Sequence, residues 1–399
     1  MTDTITDPVQ RIAAEARNWR RDIHQHPELL FDLPRTAALV AAKLGEFGVD
    51  EIATGIAKSG VVATIRGKLG DGKTIALRCD MDALPMGEQT NLAYASKIPD
   101  MMHACGHDGH TAILLGAAKY LAATRDFAGT VVLVFQPAEE GGGGGRVMIE
   151  EGVLDRFGID EVYGMHNQPG LDVGSFSIRS GPLMAGGDRF IVNVNGRGGH
   201  AASPNLAHDP VLAAAHLIVA AQSIASRFVD PLDSVVVSIT YVSAGNDKAL
   251  NVIPGSVQIG GTIRTMQPDT RRAVEVRFRD IVATTAKLFE CEAELDWRPG
   301  YPVTVNDPAK TLAAISAAVD VVGVERVDDA APQTMGSEDF SYMLEKRPGA
   351  IIWLGNGDSA DLHNAAYDFN DDAIVYGMQY WIALTAQQLG SGKNHRQPE

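Results

Sequence analysis

The sequence predicts an α/β protein: a central mixed sheet with helices on both faces, interrupted by an inserted α+β domain of ferredoxin-like order. Three observations carry this. Residues 130–135 and 161–165 run apolar rather than alternating, as strands covered on both faces do. Residues 189–297 follow the order strand, helix, strand, strand, helix, strand, which is that of a split βαβ unit. After that block, residues 309–322 return to helical spacing and 350–354 to a buried-type strand, so the first architecture resumes.

Element by element, residues 9–21 have helical spacing, and 36–47 form a second amphipathic helix stopped by Gly48. Short β-rich runs follow at 61–66 and 73–78. Ile113, Leu114, Ala117 and Leu121 recur at helical spacing within a long helix over 109–124, which leads into the strand at 130–135. The glycine run 141–145 lacks the ordered Gly and Lys-Ser/Thr pattern of a phosphate loop and reads as permissive backbone before a helix at 146–151. The strand at 161–165 closes this part. The second block consists of strand 189–195, helix 210–227, strands 234–242 and 256–264, helix 270–289 and strand 291–297. Gly186-Gly187 and Pro299-Gly300 suit linkers at its ends. The domain expectation is therefore residues 1–185 with 298–399 as one discontinuous body, and 186–297 as an inserted lid.

With 34 basic and 50 acidic residues, the formal charge of −16 repels phosphate backbones and anionic headgroups, and no basic patch overrides it. Nucleic-acid and membrane-surface roles are not expected. Residues 1–11 lack an apolar signal core, and the longest apolar runs, such as 211–221, fall short of a bilayer span. Three dispersed cysteines, Cys79, Cys105 and Cys291, suit a reducing compartment rather than a disulfide scaffold, so a cytoplasmic protein is expected.

Three stretches fit one dinuclear metal site: Met102-His103-Ala104-Cys105-Gly106-His107-Asp108-Gly109-His110, Gln136-Pro137-Ala138-Glu139-Glu140, and Gly164-Met165-His166. Thiolate, imidazole and carboxylate together hold divalent ions, and a spare carboxylate beside them can activate water, which points to a hydrolase. Glu139, Glu140 and His166 follow strands at their carboxyl ends, where ligands gather in open α/β sheets. Cys105 and His107 lie in the turn entering a helix, and His363 follows the strand at 350–354. A structural zinc site usually takes paired ligands at short spacing, unlike this dispersed set. Cys105 as a thiolate nucleophile with His107 as base is an alternative, but it leaves the Glu pair without a task. Glu140 is read as ligand and Glu139 as general base, with the exchange of the two left open.

The chain resembles the dinuclear metallopeptidases of the aminoacylase and glutamate carboxypeptidase type, in particular the amidohydrolase branch with hippurate hydrolases, N-acyl amino acid aminoacylases and auxin-conjugate hydrolases. The resemblance rests on Arg21 to Glu28 (RDIHQHPE), Cys79 to Pro85 (CDMDALP), the His103 to His110 motif, Gln136 to Glu140, Gly198 to Pro204 (GGHAASP), Asn251 to Pro254, Gly261 to Arg264 and Gly336 to Phe340 (GSEDF). It implies a zinc-peptidase-like body holding two divalent ions, Zn²⁺ or Mn²⁺ foremost, with Co²⁺ or Ni²⁺ as alternatives. Cys105 then replaces the wider family's bridging aspartate, His107 and His166 complete one metal, and Glu140 and His363 the other. Asp80 stands where the wider family has a histidine ligand, which leaves Asp82 as an outer supporting residue. His200 matches a histidine that reaches a partner subunit's site to steady an oxyanion, and Asn251 and Arg264 match positions that hold a substrate carboxylate. The implied activity is hydrolysis of N-acyl amino acids by a homodimer, or a tetramer, assembled through the lid. Alternatives are a di- or aminopeptidase, or a silent homologue that carries a conjugate.

Overall fold

The computed structural model describes residues 6–390. The chain forms two compact units, Met1–Gly181 with Val305–Pro332 and Asp339–Glu399, and Pro182–Thr304 with Gln333–Glu338. The junctions differ from those set by sequence (185/186 and 297/298) because backbone pairing runs further than the linker residues suggest. Pro299 still pairs with Asp188, and residues 333–338 join the second unit because Ala185 N–H donates to the Thr334 carbonyl and Thr334 N–H to that of Leu183.

The first unit is built on an eight-stranded sheet. Its strands β1 (Glu51–Ile56), β2 (Gly60–Arg66), β3 (Thr74–Asp80), β4 (Thr130–Gln136) and β5 (Glu161–Pro169) lie in the order β1-β2-β4-β3-β5, followed by Gly349–Gly357, Phe176–Ser177 and Val327–Asp328. β3 runs parallel to β4 and β5, and β5 parallel to Gly349–Gly357, whereas β1 and β2 are antiparallel. Nearly every residue of β3, β4 and β5 is buried, which is why their sequences do not alternate. Helix α1 (Thr6–Gln25) and helix Ala373–Leu389 pack against α3 (His107–Thr124). Residues 51–56 and 373–389 went unassigned from sequence: the first is a short edge strand, and the second is too uniformly apolar to show a face. Helix α2 (Pro34–Phe47) begins after Leu33, which offers no side-chain acceptor. Glu28 fills that role, accepting the N–H groups of Arg35 (3.0 Å) and Thr36 (2.8 Å).

The start of α3 is pinned from below. Asp108 is fully buried between Arg20 Nε and His24 Nδ1, each 2.8 Å away. Burial alone would raise its carboxyl, but Arg20 and then His24 hold it well below the carboxylate range. Asp108→Asn leaves the buried Arg20 partly uncompensated and is expected to cost about 3–5 kcal/mol in urea unfolding. A loss under 1 kcal/mol would show that Asp368 and Asp371, which also face Arg20, suffice.

The second unit has a four-stranded antiparallel sheet in the order Val235–Ala244, Ser256–Thr265, Gly186–Asn195, Glu292–Pro299, the ferredoxin-like arrangement. Helices Pro210–Ala221 and Pro268–Leu288 bury Ala213, Leu217, Val274 and Phe278 against Phe190 and Val192. The α-helix stops at Ala221, short of the 227 read from sequence, and a π-turn covers Ile224–Phe228. Together they make one helical stretch, Pro210–Phe228, long and apolar enough by length and composition to cross a membrane, which corrects the shorter span read from sequence. Only 28% of that window is buried; Val211, Leu212 and Val219 stand exposed, as do Tyr241 and Val242 of the edge strand.

Candidate metal centre

Cys105 and His107 flank a glycine for a steric reason. Gly106 adopts φ 88°, and a Cβ there would lie 2.3 Å from Asn167 Nδ2 and 2.5 Å from the Tyr367 hydroxyl. The turn places the thiol beside His166 of β5 and makes His107 the first residue of α3, two residues earlier than the helix start read from sequence. His166 lies inside β5, which continues to Pro169, rather than at a strand end, and pairs with Trp353. Glu139 and Glu140 leave β4 after Ala138, at φ 58°. His363 sits in a loop at φ 61°, its N–H bonded to the Ala104 carbonyl (2.8 Å).

The first unit brings together all five residues read as ligands. Donor atoms of Cys105, His107 and His166 lie within 4.8 Å of one another, as do those of Cys105, Glu140 and His363. Cys105 is common to both groups. Cys105 Sγ stands 3.4 Å from His166 Nε2, and Glu140 Oε1 3.2 Å from His363 Nε2. His107, Glu139 and Glu140 form a further group within the same limit.

The donor set fits divalent ions on structural grounds. His107 Nδ1 donates to the Asp82 carbonyl (2.8 Å), which leaves its Nε2 lone pair facing inward, buried and without a hydrogen-bond partner. His166 is oriented likewise, Nδ1 toward the Asn167 carbonyl at 2.7 Å. Glu140 Oε1 is also buried and faces His363 Nε2, another imidazole of the cluster. The field around these atoms calls for positive charge. Burial opposes a charged His107, yet Asp80 and Cys105 pull its pKa well above the imidazole range. His166, lowered by burial and by His110, stays neutral as a lone-pair donor. Burial pushes the Cys105 thiol well above its usual range, and although His107 opposes this, Glu140 adds to it, so a thiolate there needs a cation.

Asp82 holds Glu139, Glu140 and His107 in register. Its Oδ1 accepts the N–H of Glu139 (2.9 Å), its Oδ2 that of Glu140 (3.1 Å), and its own carbonyl receives His107. A second layer was missed from sequence. Asp80 Oδ1 lies 2.6 Å from His110 Nδ1 and its Oδ2 2.9 Å from Arg78 Nη1, while Arg78 Nη2, Gln136 Nε2 and Gly145 N–H converge on Asp339. His110 Nε2 accepts the N–H of Asn167 at 2.9 Å, so both ring nitrogens are engaged. Burial alone would raise Asp80, but His107, Arg78 and His110 hold it well below the carboxylate range. The three-residue spacing of His107 and His110 on one helix face was the available signal.

The other residues singled out belong to the second unit. His200 is exposed in a two-residue strand paired with Val252–Ile253, next to the exposed Asn251, whose carbonyl accepts the Ala201 N–H. Its Nδ1 accepts the N–H of Ala202 (3.1 Å), which puts the ring proton on the outward Nε2. Arg264 lies on strand Ser256–Thr265, half-buried.

Comparison with known proteins places these features in a family. The model of peptidase family M20/M25/M40 matches residues 76–387. The chain is 42% identical over 368 residues to an N-acetylcysteine deacetylase of Bacillus subtilis, covering 92% of this chain and 95% of that protein. It is 42% identical over 378 residues to the hippurate hydrolase of Campylobacter jejuni, covering 95% and 97%. A crystal structure from Bacillus subtilis, described as a dinuclear metal binding peptidase from the M20 family, superposes with a TM-score of 0.84 at 37% identity, covering 96% of this chain and 99% of that one.

Proposed function

Because the chain belongs to peptidase family M20/M25/M40, we infer that it hydrolyses the amide bond of N-acyl amino acids in a metal-dependent reaction, releasing a carboxylic acid and a free amino acid. One observation carries the reading: Glu139 and Glu140 are anchored to the two oxygens of a single carboxylate, Asp82, and lie beside the Cys105, His107, His166 and His363 donor atoms. The names of the relatives, a hippurate hydrolase and an N-acetylcysteine deacetylase, supply the substrate class.

Cys105, His107 and His166 would hold one ion, and Cys105, Glu140 and His363 the other, with Zn²⁺ or Mn²⁺ the first choices for this mixed donor set and Co²⁺ or Ni²⁺ the alternatives. When bound, the pair supplies Lewis acidity, polarising the acyl carbonyl and lowering the pKa of water. Glu139 takes a proton from the attacking water and returns it to the leaving nitrogen as the C–N bond breaks. Nε2–H of His200 is aimed outward to donate to the oxyanion, reaching the site of a partner subunit. Arg264 and Asn251 hold the carboxylate of the amino acid product half. The exposed apolar side chains of Pro210–Ala221 and of the edge strand support a homodimer formed through this second unit, which would also act as the lid.

Assay of benzoyl-glycine and acetyl-amino acids against unblocked dipeptides, with Mn²⁺ or Zn²⁺ added, tests the reading. Blocked substrates are expected to be turned over and dipeptides not; preference for free amino termini would replace this function with a dipeptidase. Because the buried Cys105 thiol must lose its proton to bind, metal affinity should rise with pH between about 6 and 9, and Cys105→Ala should flatten that dependence in a metal titration.

A further inference from the structure

Arg264 is a half-buried guanidinium that makes no ion pair among the described residues. The acid whose charge acts on it is committed elsewhere: Asp188 is held by Arg271 through Nε (3.0 Å) and Nη2 (2.6 Å) and also accepts the Gly300 N–H. Arg189, whose charge repels that of Arg264, is close enough to oppose its ionisation, after burial itself. For a half-buried cation with no direct ion pair, the distant pull of Asp188 only partly offsets desolvation, so the fold must hold it in place by other means.

The holding group is a hydroxyl. Arg264 Nη1 donates to Ser337 Oγ at 2.5 Å, and Ser337 Oγ–H donates in turn to the Ala185 carbonyl at 2.9 Å. With its proton committed to Ala185, Ser337 presents only lone pairs to the guanidinium. Gly187 is the cross-strand partner of Arg264, and its missing side chain makes the room. A Cβ there would lie 2.5 Å from Arg264 Nη1 and 2.9 Å from Ser337 Oγ. A neutral acceptor fixes one arm of the fork without neutralising it, and the remaining N–H groups stay available for an anion with two oxygens.

We propose that Ser337, with the space left by Gly187, is the positioning residue that holds Arg264 for the α-carboxylate of the substrate and thereby sets the preference for free acids over carboxamides. This rests on the carboxylate role given to Arg264 above. The test measures kcat and KM of the metal-loaded enzyme for an N-acyl amino acid turned over in the panel and for its carboxamide, with melting temperature as the folding control. Ser337→Ala is expected to raise KM for the acid about tenfold, with kcat within about twofold, so that the acid-to-carboxamide ratio of kcat/KM collapses by the same factor. Gly187→Ala, which keeps the hydroxyl but crowds both Arg264 Nη1 and Ser337 Oγ, should reproduce that signature. If the wild-type enzyme favours the acid and both variants keep its KM, the positioning role is overturned and Arg264 stands alone. If the wild type shows no preference for the acid, the carboxylate reading itself falls, and this inference with it.

Discussion

Glu139→Gln is expected to lower kcat about a thousandfold while metal content, by elemental analysis, and melting temperature stay at wild-type values. The substitution keeps the shape and the backbone N–H bond to Asp82 and removes only the ability to accept and return a proton. The Glu139 carboxylate is also placed by the Asp339 N–H, 3.4 Å from Oε1, a contact that an amide oxygen can keep. Because His107, Glu139 and Glu140 share one cluster of donor atoms, the opposite assignment has its own signature. Were Glu139 a ligand, the variant would lose metal in proportion to activity, and Glu140→Gln would become the substitution that spares metal.

The second large effect is expected at Asp82, which never needs to touch an ion to control the centre. Asp82→Ala strips the acceptors from the N–H groups of Glu139 and Glu140 at once, while the carbonyl that fixes the His107 tautomer stays in the main chain. Loss of such an outer partner weakens metal binding by about 10–100-fold. Saturating metal should therefore restore occupancy but not turnover, since Glu139 is no longer anchored. Full recovery of kcat at high metal would reduce Asp82 to a support for ligands alone.

Much of this was legible in the chain because the chemistry is written in rare residues. Cys105, His107, Glu140, His166 and His363 stand out by type, and their convergence follows from loops after strands and a helix start that hydrophobic pattern also reveals, with His166 inside β5 the exception. The apolar runs of β4 and β5 announced a sheet covered on both faces, as observed. What escaped was carried by commoner residues whose meaning is relational. Arg78 reads as an ordinary strand end and Asp80 only as a departure from the family's histidine ligand, yet they form a buried chain of charge with Asp339, more than two hundred residues away in sequence. Ser337 and Gly187 carry no signal until the register of Arg264 opposite Gly187 is known. The helix at Ala373–Leu389 was lost for the opposite reason, since a segment buried on most sides shows no amphipathic period.

The connectivity of the first unit also dictates an order of events on the ribosome. Strand Gly349–Gly357 pairs with β5 and completes the middle of the sheet, and His363 comes later still. The nascent body therefore waits with an open seam while the whole intervening ferredoxin-like unit is translated, and that unit has its own core on which to fold meanwhile. Ion capture by the full donor set proposed above therefore cannot precede His363 and falls late in biogenesis, after the last strand has been made.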